Sequence, residues 1–257
     1  MRAAWVPARR DPAHASELAS QWLCGETLDV LESAEGWLRC RGDDGYTAWT
    51  PIGGVLPVED GGARWRAAAT GFSLGVGLEA REDRGGPARL PFGARVATGE
   101  GGAIMLPDGA TARASDSGKI VAGHLSPEPK AVVECALSWL GTPYVWGGRS
   151  EWGADCSGFV QLVFAAHGIP LPRDSYQQFD AGPRLVETES AVAGDLLFYA
   201  ETAGRVTHVA ICLDERHVIH CSASNAAVRI NDMEGGLPLD EKLRAWRVGT
   251  TRPLAGG

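Results

Sequence analysis

The pattern of apolar and polar positions changes character near residue 123. Upstream, short β-like runs at 27–31, 37–41 and 46–50 are divided by the turn clusters Ala34-Glu35-Gly36 and Gly42-Asp43-Asp44-Gly45. Weaker runs follow at 95–98 and 103–106, and Asp108-Gly109 is a hairpin-turn signal. Gly71, Gly75, Gly77, Gly85 and Gly86 blur the stretch between them. This spacing predicts two small β-barrels of about 60 residues each, over 1–60 and 61–122.

Downstream, the period lengthens. Ala131, Val132, Cys135, Ala136, Trp139 and Leu140 fall on one face of a helix predicted over 127–140, with Ser126 as its cap and Gly141 as its stop. A second helix is predicted over 156–167, apolar at Phe159, Val160, Leu162, Val163, Phe164 and Ala166, and closed by Gly168 and Pro170. Strands are predicted at 195–200, 206–213, 217–222, 228–230 and 246–248. Helices followed by antiparallel strands indicate an α+β domain over 123–257 rather than a doubly wound sheet.

Composition narrows the function classes. Hydrophobic residues make up 44% and charged residues 22% of the 257, an ordinary globular balance. The formal charge of −8 lacks the basic face that nucleic acid requires. No apolar run approaches the roughly 18 residues needed to span a bilayer. The stretch from Met1 to Pro7 has no apolar core of leader length, so with Met1 as the start a cytoplasmic location is expected. Six scattered cysteines in that compartment are expected to be free thiols. No cofactor and no obligate protein partner is evident.

One cysteine stands apart. Cys156 opens the second predicted helix, directly after Asp155. Unpaired N–H groups and the positive end of the dipole favour a thiolate there, and the thiolate is the nucleophile. Burial as an ordinary core thiol is the competing reading. His208 and His220 lie on two runs joined by Asp214-Glu215-Arg216. A hairpin centred on Asp214 pairs residues whose numbers sum to 428, which sets the two imidazoles directly opposite, with Cβ atoms about 5 Å apart. A register shift of two leaves them diagonal neighbours, whereas a shift of one separates them. Such a pair suits a base and its orienting partner. Zinc ligation with Cys212 or Cys156 is a rival, but no C-x-x-C or H-E-x-x-H spacing supports a metal site. Ser157 lacks the G-x-S-x-G elbow, and Gly71, Gly75 and Gly77 do not sit at a strand-to-helix phosphate loop. His14, His124, His167 and His217 read as surface or loop residues.

The motifs Gly141-Thr142-Pro143-Tyr144-Val145-Trp146-Gly147-Gly148, Asp155-Cys156-Ser157-Gly158-Phe159-Val160, Gly194-Asp195-Leu196-Leu197-Phe198-Tyr199, Thr207-His208-Val209-Ala210-Ile211 and Val218-Ile219-His220 occur in order. Over about 126–249 the chain resembles the NlpC-type (NlpC/p60) cell-wall cysteine peptidases. The resemblance implies a papain-like core with Cys156 as nucleophile, His208 as base and His220 as the orienting third member. It also implies an oxyanion site built from the Tyr144 hydroxyl and backbone N–H near Cys156.

Upstream, Ser16-Glu17-Leu18, Gly25-Glu26, Gly36-Trp37 and Asp44-Gly45-Tyr46-Thr47-Ala48-Trp49 resemble bacterial SH3-like domains, with Ala48 where glycine is more common. Together with Pro172-Arg173-Asp174-Ser175-Tyr176-Gln177-Gln178, the layout is similar to cytosolic γ-D-glutamyl-L-diamino-acid endopeptidases of peptidoglycan recycling. Their resemblance implies small cell-wall peptides as partners and Tyr46, Trp146, Asp155, Ser157, Arg173, Asp174 and Ser175 as substrate-binding residues. Asp174 would hold the free amine of L-Ala, Ser157 and Ser175 would contact D-Glu, Trp146 would wall the pocket and Tyr46 would close it. Asp174 as a plain helix cap is the alternative. For the whole chain, an inactive wall-peptide binding module and an amidase or acyltransferase on the same core remain the alternatives to a peptidase.

Overall fold

The structure is a computed structural model that describes residues 3–58, 63–79, 88–99, 103–182, 185–186, 190–200, 205–233 and 241–246. Gly85, Gly86 and Val248 lie outside the described residues. The chain forms two compact units. The first combines Met1–His124 with Trp146–Gly153, and the second combines Leu125–Val145 with Ala154–Gly257.

The first unit holds two five-stranded sheets. Strands β1 (Trp5–Arg9), β2 (Leu18–Leu23), β3 (Asp29–Ala34), β4 (Trp37–Arg41) and β5 (Thr47–Pro51) are arranged in the order β2-β1-β5-β4-β3. Val6, Ala8, Trp22 and Ala48 fill their core, with Tyr46 packed at its margin. After helix α1 (Ala63–Ala68) come β6 (Gly71–Glu79), β7 (Arg89–Thr98), β8 (Ala103–Met105), β9 (Thr111–Ala114) and β10 (Ile120–Ala122). β6 pairs with β7, β9 and β10, so β6 to β9 close on themselves around Val76, Leu90, Ala94, Val96, Ile104 and Leu106. Gly109, at φ 84°, makes the predicted β8–β9 turn, and Leu106 N–H bonds Ala110 C=O at 2.9 Å. Cys24 joins that second core, and Arg95 N–H bonds Cys24 C=O at 2.8 Å.

The predicted domain over 123–257 is not contiguous. Trp146–Gly153 packs as part of the first unit. Arg149 is buried there. Its guanidinium meets both Glu26 oxygens at 2.9 and 3.3 Å, and also the Gln21 carbonyl at 2.9 Å. The Glu151 carboxylate accepts the Phe92 N–H at 2.8 Å, and Trp146 Nε1 donates to Glu17 at 2.7 Å. Buried charges persist when paired in this way.

Along the chain, the short strand β11 (Arg149–Ser150) lies within the strap of the first unit and β12 (Gly153–Ala154) ends it, while the second unit contains α2 (Pro129–Leu137), α3 (Cys156–Ala166) and α4 (Ser175–Asp180). A six-stranded sheet follows, built from β13 (Leu185–Val186), β14 (Leu196–Ala200), β15 (His208–Cys212), β16 (His217–Ser222), β17 (Ala227–Asp232) and β18 (Glu241–Trp246), in the order β13-β18-β14-β15-β16-β17. Ten of the eleven residues of α3 are buried, so this helix is apolar on nearly every side and lies in the centre of its unit. It packs on α2, β15 and β16. Phe159, Leu162 and Phe164 each contribute on the order of 1.5–3 kcal/mol by leaving water.

Two details differ from the sequence expectations. The α2 cap is Glu128 with Pro129 at the first helical position, while Ser126 Oγ instead accepts the Glu128 N–H. His167 is buried rather than exposed, because it caps the C-terminus of α3 and its Nδ1 contacts the Ser126 carbonyl.

Candidate active site

Sequence places Cys156 at the first residue of α3, and the reason is visible in the preceding residue. Asp155 adopts extended backbone as the N-cap and accepts the Gly158 N–H at 2.7 Å. The same carboxylate takes both arms of Arg173, at 3.0 and 2.6 Å, and the Ser157 hydroxyl at 3.3 Å. Arg173 also donates to Ser157 Oγ at 2.9 Å and is only 1% exposed. The predicted substrate residues Asp155, Ser157 and Arg173 are therefore brought together and turned upon one another. Gln178 fixes the same corner by donating to the Ser157 and Pro172 carbonyls.

The histidines come together as a diagonal pair. β15 and β16 pair Ile211 with Ile219 and Cys212 with Val218, a sum of 430 rather than 428. His220 therefore faces position 210, and His208 is its diagonal neighbour. The shift of two leaves both on one face. Their rings meet edge to face, with His208 Nε2 2.7 Å from His220 Nδ1. Nδ1 of His208 is left as the nitrogen able to take a proton. On the far side, His220 Nε2 lies 3.0 Å from Asn231 Oδ1, and Asn225 Nδ2 lies 2.8 Å from the same oxygen. Neither asparagine was found by the sequence reading. The register that pairs Val218 with Asn231 was the available signal.

Burial decides the protonation of this group. His208 is 8% exposed, and desolvation together with the neighbouring His220 lowers it to about 3. Desolvation lowers His220 as well, against the opposing pull of Asn231. The Cys156 thiol is pushed up to about 12, first by burial and then by the Asp155 carboxylate; N–H groups of Val209 and Ser157, with Arg173, oppose this. This direction runs against the helix-terminal thiolate expected from the sequence. The dipole and N–H donors are outweighed by lost solvation and a carboxylate one residue away. Both directions favour a neutral thiol and a neutral imidazole at rest. Accordingly, alkylation of Cys156 by iodoacetamide, followed by peptide mass, should accelerate about tenfold per pH unit between pH 6 and 9. A rate independent of pH in that window would show a preformed thiolate instead.

Tyr144 is half-buried, and its backbone N–H bonds Ala226 C=O at 2.9 Å. Ala226 sits in the β16–β17 turn at φ 54°, a left-handed conformation unusual for a residue with a Cβ. Burial, then the charges of Cys156 and Asp155, raise the Tyr144 phenol, so it stays a hydrogen-bond donor at neutral pH. Asp174 is the N-cap of α4, and its N–H donates to Gln177 Oε1 at 3.2 Å, one half of a capping box. Ser175, the first residue of α4, is buried. Tyr46 and Trp146 belong to the first unit. All six cysteines are free thiols.

Residues 141–247 match the NlpC/P60 family, and residues 8–53 match the bacterial dipeptidyl-peptidase SH3 domain. A γ-D-glutamyl-L-lysine dipeptidyl-peptidase of Bacillus cereus is 38% identical over 108 residues, covering 40% of this chain and 32% of that protein. Its namesake from Bacillus subtilis is 37% identical over 101 residues, covering 38% and 34%. The matched stretch thus spans about a third of the length of these curated relatives. A crystal structure of an NlpC/P60 family protein from Bacillus cereus superposes with a TM-score of 0.83, covering 96% of this chain and 98% of that one at 20% identity. That likeness shows a shared α+β fold. The chain carries an NlpC/P60 domain preceded by an N-terminal bacterial SH3 domain.

Proposed function

We propose that the protein is a cysteine peptidase that hydrolyses the bond between γ-D-Glu and a diamino acid in cell-wall peptides with a free N-terminal L-Ala, releasing L-Ala-D-Glu. The observation that carries this reading is the 2.7 Å contact between His208 Nε2 and His220 Nδ1, with Val209, the next residue after His208, turning its N–H to the Cys156 sulfur. In the proposed reaction the Cys156 proton moves to His208 Nδ1 as the sulfur attacks the γ-carbonyl. The Tyr144 hydroxyl and backbone N–H near Cys156 take the oxyanion. The C–N bond then breaks, and His208 returns its proton to the leaving amine. Water next attacks the thioester with His208 as base, which frees the γ-carboxylate and restores the thiol.

The named relatives act, by their names, on γ-D-glutamyl-L-lysine. This supports the γ-D-Glu specificity and leaves lysine and diaminopimelate both to be assayed. The deciding experiment incubates the full chain with L-Ala-γ-D-Glu-lysine and L-Ala-γ-D-Glu-diaminopimelate and seeks L-Ala-D-Glu by mass spectrometry. Intact peptide from both rejects the proposal. Transfer of the L-Ala-γ-D-Glu unit to an added amine in place of water identifies an acyltransferase.

In the same reading the Asp174 carboxylate pairs with the L-Ala ammonium. Asp174→Asn keeps a side-chain oxygen for the α4 cap and removes only the charge. The preference for free over N-acetylated peptide should then fall roughly 10- to 100-fold, the worth of one charge-assisted bond. An unchanged preference assigns Asp174 to capping alone.

A further inference from the structure

The hydrogen-bond chain does not stop at His220. His208 lies on β15, His220 on β16 and Asn231 on β17, each one diagonal step from the last across the sheet. His220 is fully buried, so its two nitrogens depend on protein partners. Nδ1 faces His208 at 2.7 Å, and Nε2 faces Asn231 Oδ1 at 3.0 Å. Asn225 Nδ2 also approaches Nε2, at 3.2 Å, but it lies closer, at 2.8 Å, to Asn231 Oδ1. An amide N–H placed between two acceptors favours the nearer one. The Asn225 amide therefore holds the Asn231 oxygen in place, and that oxygen accepts the Nε2–H of His220.

A neutral imidazole carries one proton, so this fixes the rest. With Nε2 protonated, His220 Nδ1 is an acceptor. It takes the Nε2–H of His208, which leaves His208 Nδ1 bare, the form a base requires. The opposite arrangement has the Asn225 N–H donating to His220 Nε2. That moves the His220 proton to Nδ1 and the His208 proton to Nδ1, and no base remains. Hydrogen positions follow from partners in this way, and the Asn231 oxygen, which can only accept, takes the proton from His220 Nε2.

We infer that Asn231, held by Asn225, is a positioning residue that sets the tautomers of both histidines. This rests on the proposed peptidase reading for its catalytic consequence, but not for the tautomers themselves.

The test combines nitrogen-15 histidine NMR of the full chain at pH 7 with steady-state kinetics on L-Ala-γ-D-Glu-lysine. Wild type should show the Nε2–H tautomer at His208 and His220. Asn231→Leu removes the acceptor and leaves Asn225 facing Nε2. His220 should shift to Nδ1–H, and kcat should fall about 100-fold with KM within twofold, as when a triad loses its tautomer. Asn231→Asp restores an acceptor oxygen and should recover both tautomers and most of kcat. Nδ1–H at His220 in wild type overturns the inference, as do unchanged tautomers and kcat in Asn231→Leu. Failure of Asn231→Asp to recover either quantity also overturns it, since a merely structural loss is what that result describes. A wild-type chain that cleaves no γ-glutamyl peptide refutes the proposed function, while the tautomer measurement still decides this inference.

Discussion

Cys156→Ala is expected to lower hydrolysis of L-Ala-γ-D-Glu peptides by about 10⁴-fold or more, with unfolding free energy within about 1 kcal/mol of wild type. The two halves of this expectation have separate causes. Loss of activity follows because the thioester needs the sulfur, and the neighbouring Ser157 hydroxyl cannot replace it, being engaged by Asp155 and Arg173. Retention of the fold follows because the thiol is a small side chain at the end of α3, whereas the helix is held by Phe159, Val160, Leu162, Val163 and Phe164 further along. L-Ala-D-Glu release by mass spectrometry and urea denaturation read the two halves independently. Activity within tenfold of wild type would overturn the covalent mechanism.

The largest expected effect on stability belongs to Arg173. Its guanidinium is buried, bidentate on Asp155 and bonded to Ser157. Arg173→Leu leaves the Asp155 carboxylate in an interior site without its cation, and breaking a buried pair from one side costs about 3–5 kcal/mol. Gly158 N–H still satisfies part of that carboxylate, which places the expectation toward the lower end. Arg173→Lys keeps the charge but not the fork, so an intermediate loss is expected. Urea denaturation followed by a probe in the second unit checks the series. A loss below about 1 kcal/mol for Arg173→Leu would mean that Asp155 has found other partners or has been protonated.

Much of the catalytic arrangement was legible because it is local or set by strand register. Cys156 follows a capping aspartate, and the two histidines flank a three-residue turn, so their approach is fixed within two residues of register. The observed sum of 430 shows how narrow that margin is: one residue instead of two would have sent one ring to the other face. The strands at 37–41 and 217–222 coincide with β4 and β16.

The failures have a common cause in distance along the chain. β1 and β2 were missed because Trp5–Arg9 contains a proline and Leu18–Leu23 shows no alternation; their burial comes from pairing with each other. β6 is interrupted by glycines and becomes readable only beside β7 and β9. Nothing near Arg149 announces Glu26, its partner 123 residues earlier. Asp155 and Arg173 were each matched to substrate-binding positions, and neither segment alone shows that they bind one another. Asn231 was within reach, because the register argument used for the histidines extends one strand further.

The strap from Trp146 to Gly153 has a consequence for the order of synthesis. Domains form largely as units while the chain emerges. Here the first unit lacks the Arg149 cation that pairs with Glu26 and the Glu151 carboxylate that accepts the Phe92 N–H until position 151 has left the ribosome. Cys156 follows five residues later. The first 124 residues must therefore wait, incompletely paired, for a segment translated only after α2, and completion of that unit falls within a few residues of the nucleophile's own appearance.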